Sequence, residues 1–151
     1  NSNYNVMSGD YNKLIQSNAN TMYGSGNQMY DSNRNYNVGS GNTYVSSDAN
    51  VNFGNSNLFA NSNQNANYGS GNAFISSNGN LNVGDANKFL NSNGNYNNGY
   101  ANTYVNANSN AVTGGYNILA GASGNRVNGD GNGIYNSNGN SVIGKGNLIV
   151  N

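Results

Sequence analysis

The chain has 151 residues, of which 34% are hydrophobic and only 7% are charged, and five basic residues balance five acidic ones. A neutral chain offers no basic patch to displace counterions from phosphates, so the composition argues against nucleic-acid and anionic-membrane partners. Cysteine and histidine are lacking, which removes disulfides, thiolate or imidazole metal sites and most nucleophile–base pairs. We therefore expect no cofactor, no metal site, no catalytic residues and no enzymatic activity.

A fifteen-residue repeat runs through the whole sequence without an insertion. We number its places 1 to 15, and place 1 is asparagine in every copy. The ten copies begin at Asn5, Asn20, Asn35, Asn50, Asn65, Asn80, Asn95, Asn110, Asn125 and Asn140. A strict short period is typical of solenoids, in which each copy is one coil stacked on its neighbours.

Each copy holds two short predicted strands, at places 2 to 4 and at places 9 to 11, where β-forming residues such as those of Thr43–Val45 occur. Two strands and two corners close one coil. The sequence therefore predicts an all-β fold, a parallel β-solenoid of ten coils, as a single domain over residues 1–151 without capping coils. Coils about 4.8 Å apart would give a rod on the order of 50 Å long.

The first corner contains a glycine at place 5 in every copy, which we expect to supply a positive φ. These corner glycines are Gly9, Gly24, Gly39, Gly54, Gly69, Gly84, Gly99, Gly114, Gly129 and Gly144. Serine recurs at place 13, from Ser2 to Ser92, and is expected to bond the backbone of the second corner.

Place 10 is apolar throughout and is predicted to point inward against place 3 of the opposite strand. Place 3 is asparagine in five successive copies, at Asn37, Asn52, Asn67, Asn82 and Asn97. An unpaired buried amide costs about 2–7 kcal/mol. Stacked amides avoid that cost, because each carbonyl can accept from the NH₂ group of the next amide.

Two further amide ladders are expected at the strand ends, from place 1 and from place 8. Place 8 is also invariant, and its residues are Asn12, Asn27, Asn42, Asn57, Asn72, Asn87, Asn102, Asn117, Asn132 and Asn147.

Place 11 is apolar in every copy and leaves two interpretations open. Strict alternation would send it outward and create an apolar contact stripe along the rod, whereas a bend at the strand end would tuck it under the corner. Its residues are Ile15, Tyr30, Val45, Ala60, Ile75, Leu90, Val105, Ala120, Tyr135 and Val150.

Two other features are interpreted as structural. Asp10, Asp85 and Asp130 share place 6, and because their copies are not adjacent we interpret them as solvated corner charges and not as a calcium site. The twelve tyrosines lie at many different places, so we interpret them as strand formers and not as one binding ladder.

Both ends of the chain fall in the same phase of the repeat, since Asn1 and Asn151 each occupy place 12. Neither end departs from the repeat, and a bare terminal coil is an open edge of unpaired N–H and C=O groups. We expect a second copy to continue the ladders, which predicts head-to-tail growth through a contact that does not close on itself.

Two families share features of the repeat. The segments Asn-Arg-Val-Asn-Gly-Asp-Gly-Asn at 125–132 and Asn-Ser-Val-Ile-Gly-Lys-Gly-Asn at 140–147 resemble repeats of the grass ice-recrystallisation-inhibition proteins. That resemblance implies a small β-roll that binds ice through one flat face.

The middle copies, such as Asn-Val-Gly-Ser-Gly-Asn-Thr-Tyr at 37–44, resemble the repeat arc of curli subunits. That resemblance implies a secreted subunit that polymerises into functional amyloid.

The preferred hypothesis is a structural subunit of an extracellular or cell-surface filament, self-assembling head-to-tail by end-on stacking of coils, with lateral bundling of filaments. The alternative is an ice-binding protein that uses one flat face of the solenoid. A third hypothesis is a carbohydrate-adhering rod with Tyr23, Tyr30 and Tyr36 as stacking platforms.

Overall fold

The computed structural model describes residues 2–151, which form a parallel β-solenoid of two ten-stranded sheets. Asn1, assigned to place 12 by the repeat, lies outside the described residues. Residues 2–151 contain no helix with the length and apolar character needed to cross a membrane. The all-β solenoid predicted from the repeat is confirmed.

The strands occupy the predicted places, three residues each. Sheet A contains β1 (Val6–Ser8), β3 (Thr21–Tyr23), β5 (Tyr36–Val38), β7 (Val51–Phe53), β9 (Ala66–Tyr68), β11 (Leu81–Val83), β13 (Tyr96–Asn98), β15 (Ala111–Thr113), β17 (Arg126–Asn128) and β19 (Ser141–Ile143). Sheet B contains β2 (Lys13–Ile15), β4 (Gln28–Tyr30), β6 (Thr43–Val45), β8 (Leu58–Ala60), β10 (Ala73–Ile75), β12 (Lys88–Leu90), β14 (Thr103–Val105), β16 (Ile118–Ala120), β18 (Gly133–Tyr135) and β20 (Leu148–Val150).

Every strand pairs with the equivalent strand one repeat away. In sheet A, for example, Asn52 lies beside Asn67, and in sheet B Phe74 lies beside Phe89. This register places like residues in continuous columns along the rod, so each place of the repeat becomes one column. We number the coils 1 to 10 from Asn5.

The core lies between the two sheets and consists of the place-3 and place-10 columns. Five aromatic rings at place 10 stack with centroid separations of 4.6–4.9 Å and interplanar angles of 2–6°. They are Tyr44, Phe59, Phe74, Phe89 and Tyr104, and all are fully buried. The ring spacing matches the distance between neighbouring strands, so stacking along the axis and backbone pairing reinforce each other.

The glycine column at place 5 is required by the closeness of successive coils. A Cβ on Gly69 would overlap the carbonyl oxygen of Gly84 in the following coil, and Gly69 has a φ of +155°. Close approach of backbone to backbone is therefore a second reason for glycine here, beyond its tolerance of positive φ.

Candidate functional site

The place-1 asparagines form a hydrogen-bonded ladder along one edge of the solenoid. In a typical rung, the backbone N–H of Asn50 donates to Oδ1 of Asn35 at 2.9 Å, and Nδ2 of Asn50 donates to the same oxygen at 3.1 Å. The second Nδ2 hydrogen reaches the carbonyl of Ser62 across the corner at 2.7 Å. Both donors and both acceptor positions of each interior amide are used, as predicted for identical stacked amides.

The place-8 asparagines form a second ladder at the opposite corner. The backbone N–H of Asn57 donates to Oδ1 of Asn42 at 2.9 Å, and its Nδ2 donates to the carbonyl of Gly69 at 2.8 Å. This second contact ties the glycine corner to the strand end, which explains why glycine and asparagine are both invariant in the repeat.

The third ladder runs through the core at place 3, from Asn37 to Asn97. Four successive Nδ2–Oδ1 hydrogen bonds of 2.6–2.8 Å connect its five amides. Within residues 2–151, no buried side-chain nitrogen or oxygen lacks a partner. The amides in the core are therefore hydrogen-bonded to one another, as the sequence predicts.

Two tyrosine hydroxyls donate to the first and the last amide of this core ladder. Tyr44 donates to Oδ1 of Asn37 at 3.0 Å, and Tyr104 donates to Oδ1 of Asn97 at 2.9 Å. Burial raises the pKa of both tyrosines well above its usual value. Sequence reasoning treated place 10 only as apolar. The signal was present, because Tyr occurs there in the first and last copies that carry Asn at place 3 and Phe occurs between them.

Serine at place 13 makes a fourth ladder, as expected for the second corner. Oγ of Ser62 donates to the carbonyl of Ala60 at 2.8 Å and accepts the backbone N–H of Ser77 at 3.0 Å. In coils 1 to 6 these serines are fully buried, so their hydroxyls replace the water that would otherwise satisfy the corner backbone.

In two outer columns, at places 6 and 14, backbone N–H groups donate to the following coil. In the amide ladders at places 1 and 8 they donate to the preceding coil. At place 6, the backbone N–H of Ser40 donates to Oδ1 of Asn55 in the following coil at 2.7 Å. At place 14, the N–H of Asn18 donates to Oδ1 of Asn33 at 2.8 Å. Sequence reasoning missed both columns because Ser, Asn and Asp substitute for one another there; what they share is a short side chain with an acceptor oxygen.

The place-6 aspartates belong to this column, and two of the three are more than solvated charges. Asp85 accepts the backbone N–H of Ser70 at 2.6 Å, and Asp130 accepts that of Gly115 at 2.8 Å. The Gly115 N–H and then Lys145 lower the pKa of Asp130. Among residues 2–151, no three acidic side chains lie close enough together to hold a metal ion.

Place 11 lies on the outer surface of sheet B. Its side chains are half-buried or exposed while the neighbouring place 10 is buried, so the strands alternate to their ends. Of the two interpretations left open, the structure has the outward-facing apolar stripe.

The outer surface of sheet A carries a second apolar region that sequence reasoning missed. In coils 3 to 6, places 2 and 4 contain no polar or charged residue, and we call this set the sheet A face: Tyr36, Val38, Val51, Phe53, Ala66, Tyr68, Leu81 and Val83. The rings of Phe53 and Tyr68 stack on each other at 5.3 Å. The aromatic residues look scattered in the sequence because some are at place 2 and others at place 4. These two places are two residues apart in a strand, so their side chains point to the same side of the sheet.

Several outward-facing aromatic rings contact one another or neighbouring side chains. Phe53 and Tyr68 cover each other's faces, and Tyr36 is tilted against Phe53 at 5.7 Å. Tyr30, on the other sheet, hydrogen-bonds to Gln28 at 2.9 Å and lies 5.3 Å from the Lys13 ammonium. The rings are engaged with one another and with neighbouring side chains.

The end surface of coil 10 differs from the interior in its hydrogen bonding. Nδ2 of Asn140 donates to Oγ of Ser137 at 2.9 Å, whereas earlier place-1 amides donate to a place-13 carbonyl. A shallow depression of about 270 Å³ on this surface is lined in part by Val142 and Ile149. At the other end of the rod, the place-3 side chain of Met7 is 50% exposed.

No protein-family model matches this chain, and no curated protein matches it either. Chemically, the arrangement offers directional rows of hydrogen-bonding groups that end at two exposed surfaces, together with apolar outer faces.

Proposed function

We propose that this protein is a structural subunit that forms a filament by stacking coil 1 of one copy on coil 10 of another. The single observation that carries the proposal is the direction of the ladders. In the place-1 and place-8 columns, the backbone N–H of each asparagine after the first donates to Oδ1 of the preceding coil, and most Nδ2 groups donate to the same oxygen. Coil 10 therefore presents acceptors at Asn140 and Asn147, and coil 1 presents matching donors at Asn5 and Asn12.

The apolar core supports the same joint. Val142 and Ile149 border the depression on coil 10, and stacking in register would place Met7 and Leu14 of the next copy against them. Both ends carry apolar residues at place 3. No core amide would therefore need a hydrogen-bond partner from another molecule. Burial of this apolar surface favours association at roughly 25 cal/mol per Å².

Lateral bundling is part of the proposal, through the sheet A face. An apolar patch without charge is typical of an interaction surface, and stacking subunits end to end would repeat the patch along the filament. A Phe53→Lys change is expected to reduce bundling while leaving the length of single filaments unchanged in electron micrographs. Shorter filaments in this variant would show that the face is needed for growth itself.

We infer an extracellular or cell-surface location, which is supported by the resemblance of the middle copies to curli subunits. The ice-binding alternative has less support. The valines that carry the resemblance to the grass proteins lie in the core, and Val127 and Val142 are at most 4% exposed. They supply no surface that water or ice could contact.

Met7→Lys tests the proposal, with Val6→Lys as its matched control. Both side chains are about half exposed in a single rod, so neither change should unfold it. Met7 lies at place 3, where the introduced ammonium would be buried in the joint without a partner at a cost of several kcal/mol. Val6 lies at place 2, which points outward, so a lysine there would stay in water. We expect filaments from the parent chain and Val6→Lys but only single rods from Met7→Lys, by electron microscopy and sedimentation velocity. Single rods from the parent chain at high concentration would overturn the proposal.

A further inference from the structure

The two halves of each coil are so alike that ladder bonding alone leaves the joint ambiguous. Place 1 corresponds to place 8, and each half then carries a strand with one inward residue. A copy rotated by half a turn about the axis could still place Asn12 over Asn140 and Asn5 over Asn147. In the in-register joint, Asn5 lies over Asn140 and Asn12 lies over Asn147. An interaction other than the asparagine hydrogen bonds must favour this joint.

The direction of the amide ladders favours head-to-tail joints over tail-to-tail joints. Two coil-10 surfaces would bring Oδ1 of Asn140 and Oδ1 of Asn147 against acceptors of their own kind. Head-to-tail stacking pairs each of these acceptors with a donor. The remaining choice is between the in-register joint and the joint turned by half a coil.

The charges of the place-6 column distinguish these two joints. In this column the backbone N–H of one coil donates to a side-chain oxygen of the following coil, as Gly115 donates to Asp130 at 2.8 Å. Within the described chain, the Lys145 N–H has no acceptor above it and the Asp10 carboxylate has no donor below it. In register, Asp10 of the next copy would lie directly over Lys145.

The charges complete this match. The Lys145 ammonium already lies 3.0 Å from Oδ2 of Asp130, with the two side chains 79% and 37% exposed. In the in-register joint the ammonium would lie between two carboxylates, one from its own chain and one from the next. In the half-turn joint, Lys145 would face Asn3 and Asp10 would face Asn138, both at place 14, so neither charge would gain an opposite partner.

We propose that the ion pair between Lys145 of one copy and Asp10 of the next biases the rotational register of the filament toward the in-register joint. The partner it recognises is a second copy of this chain, and the inference rests on the proposed end-on assembly. Exposed ion pairs contribute about 0.2–1 kcal/mol, which corresponds to a preference of roughly 1.4- to 5-fold. That is enough to bias a choice between two otherwise similar joints.

Introduced cysteines can report the register, because the chain contains no cysteine of its own. In register, place 4 of coil 10 lies over place 4 of coil 1, so Ser8→Cys with Ile143→Cys reports the proposed joint. With a half turn, place 4 lies over place 11, so Ile15→Cys with Ile143→Cys reports the alternative. All three positions are exposed, and a short thiol cross-linker spans the roughly 5 Å between neighbouring strands.

We expect the first pair to cross-link between copies more than the second, and Lys145→Gln to reduce that preference about 1.4- to 5-fold. Salt at about 0.5 M should have the same effect through screening. Lys88→Gln removes the same charge far from the joint and should change nothing. Filaments whose cross-linking preference is unchanged by Lys145→Gln would overturn this inference alone. No filaments in any variant would overturn the proposed function, and this inference with it.

Discussion

The Tyr104 hydroxyl donates to Oδ1 of Asn97 at 2.9 Å, at the last rung of the core amide ladder. In earlier rungs that oxygen accepts from the asparagine of the following coil, but the following coil has Val112 at place 3. The tyrosine supplies the donor that the valine lacks. A polar ladder can therefore end inside the core without leaving an acceptor short of a partner.

Removing this hydroxyl should weaken the fold by a measurable amount. Asn97 keeps a hydrogen bond from Asn102 at 2.9 Å, so Tyr104→Phe is expected to lower the free energy of unfolding by only about 1 kcal/mol. Tyr96→Phe is the control, since Tyr96 lies on the outer surface of the same coil and should change stability by less than about 0.5 kcal/mol. Denaturant titration measures both, and equal effects would argue against the hydroxyl's role.

Breaking the ladder in its middle should cost more stability per substituted residue than replacing the ladder entirely. Asn67→Val removes a donor from Asn52 and an acceptor from Asn82, for an expected loss of about 1–3 kcal/mol. Val fits at this place, as the buried Val112 and Val127 show.

The matched variant changes all five place-3 asparagines to Val together with Tyr44→Phe and Tyr104→Phe. Replacing both partners of a buried hydrogen bond can be nearly neutral, so the total loss should be well below five times that of Asn67→Val. A total loss of stability about five times that of Asn67→Val would show that the amides do not act as one ladder.

The place-5 glycines should tolerate no side chain. Gly69→Ala would force Cβ into the carbonyl of Gly84, and we expect a loss of more than about 2 kcal/mol from strain and overpacking. Gly79→Ala is the control, because Gly79 has a φ of +64° in open space and Ala49 adopts a φ of 57° at the same place of the repeat. Thermal unfolding compares the two, and a Gly69→Ala protein as stable as Gly79→Ala would contradict the close stacking of coils.

Stability should fall at alkaline pH because of the two buried tyrosines. Burial raises the pKa of Tyr44 and Tyr104 in the folded state, so both are neutral there, while in the unfolded chain they ionise near pH 10. Their contribution is fully present below about pH 10 and is lost as pH rises further, at up to about 1.4 kcal/mol per pH unit for each.

The Tyr44→Phe, Tyr104→Phe double variant removes both titrations, so its stability should decline less steeply between about pH 10 and 12. Denaturant titrations across that range give the slopes directly. Parallel slopes for the parent and the double variant would mean that the two hydroxyls are not buried as described.

The fifteen-residue repeat was sufficient to predict the coil and the strands. The three amide ladders could be predicted because each requires the same residue, asparagine, at one place in successive copies. Only Asn can both donate to and accept from an identical neighbour in this geometry. Place 6 could not be recognised in the same way, since Ser40, Asn55 and Asp85 supply the same acceptor from different residues. The hydrogen bonds from the tyrosine hydroxyls to the core ladder were not predicted, because Tyr44 and Phe59 were both treated as apolar core residues. Only tyrosine has a hydroxyl donor.

Cryo-electron microscopy of assembled protein tests end-on stacking most directly. The account predicts an unbranched filament one solenoid wide, in which coils follow one another at about 4.8 Å without a break where Val142 of one copy meets Met7 of the next. Rods no longer than about 50 Å, or filaments in which the rods lie side by side and their end coils stay free, would contradict it.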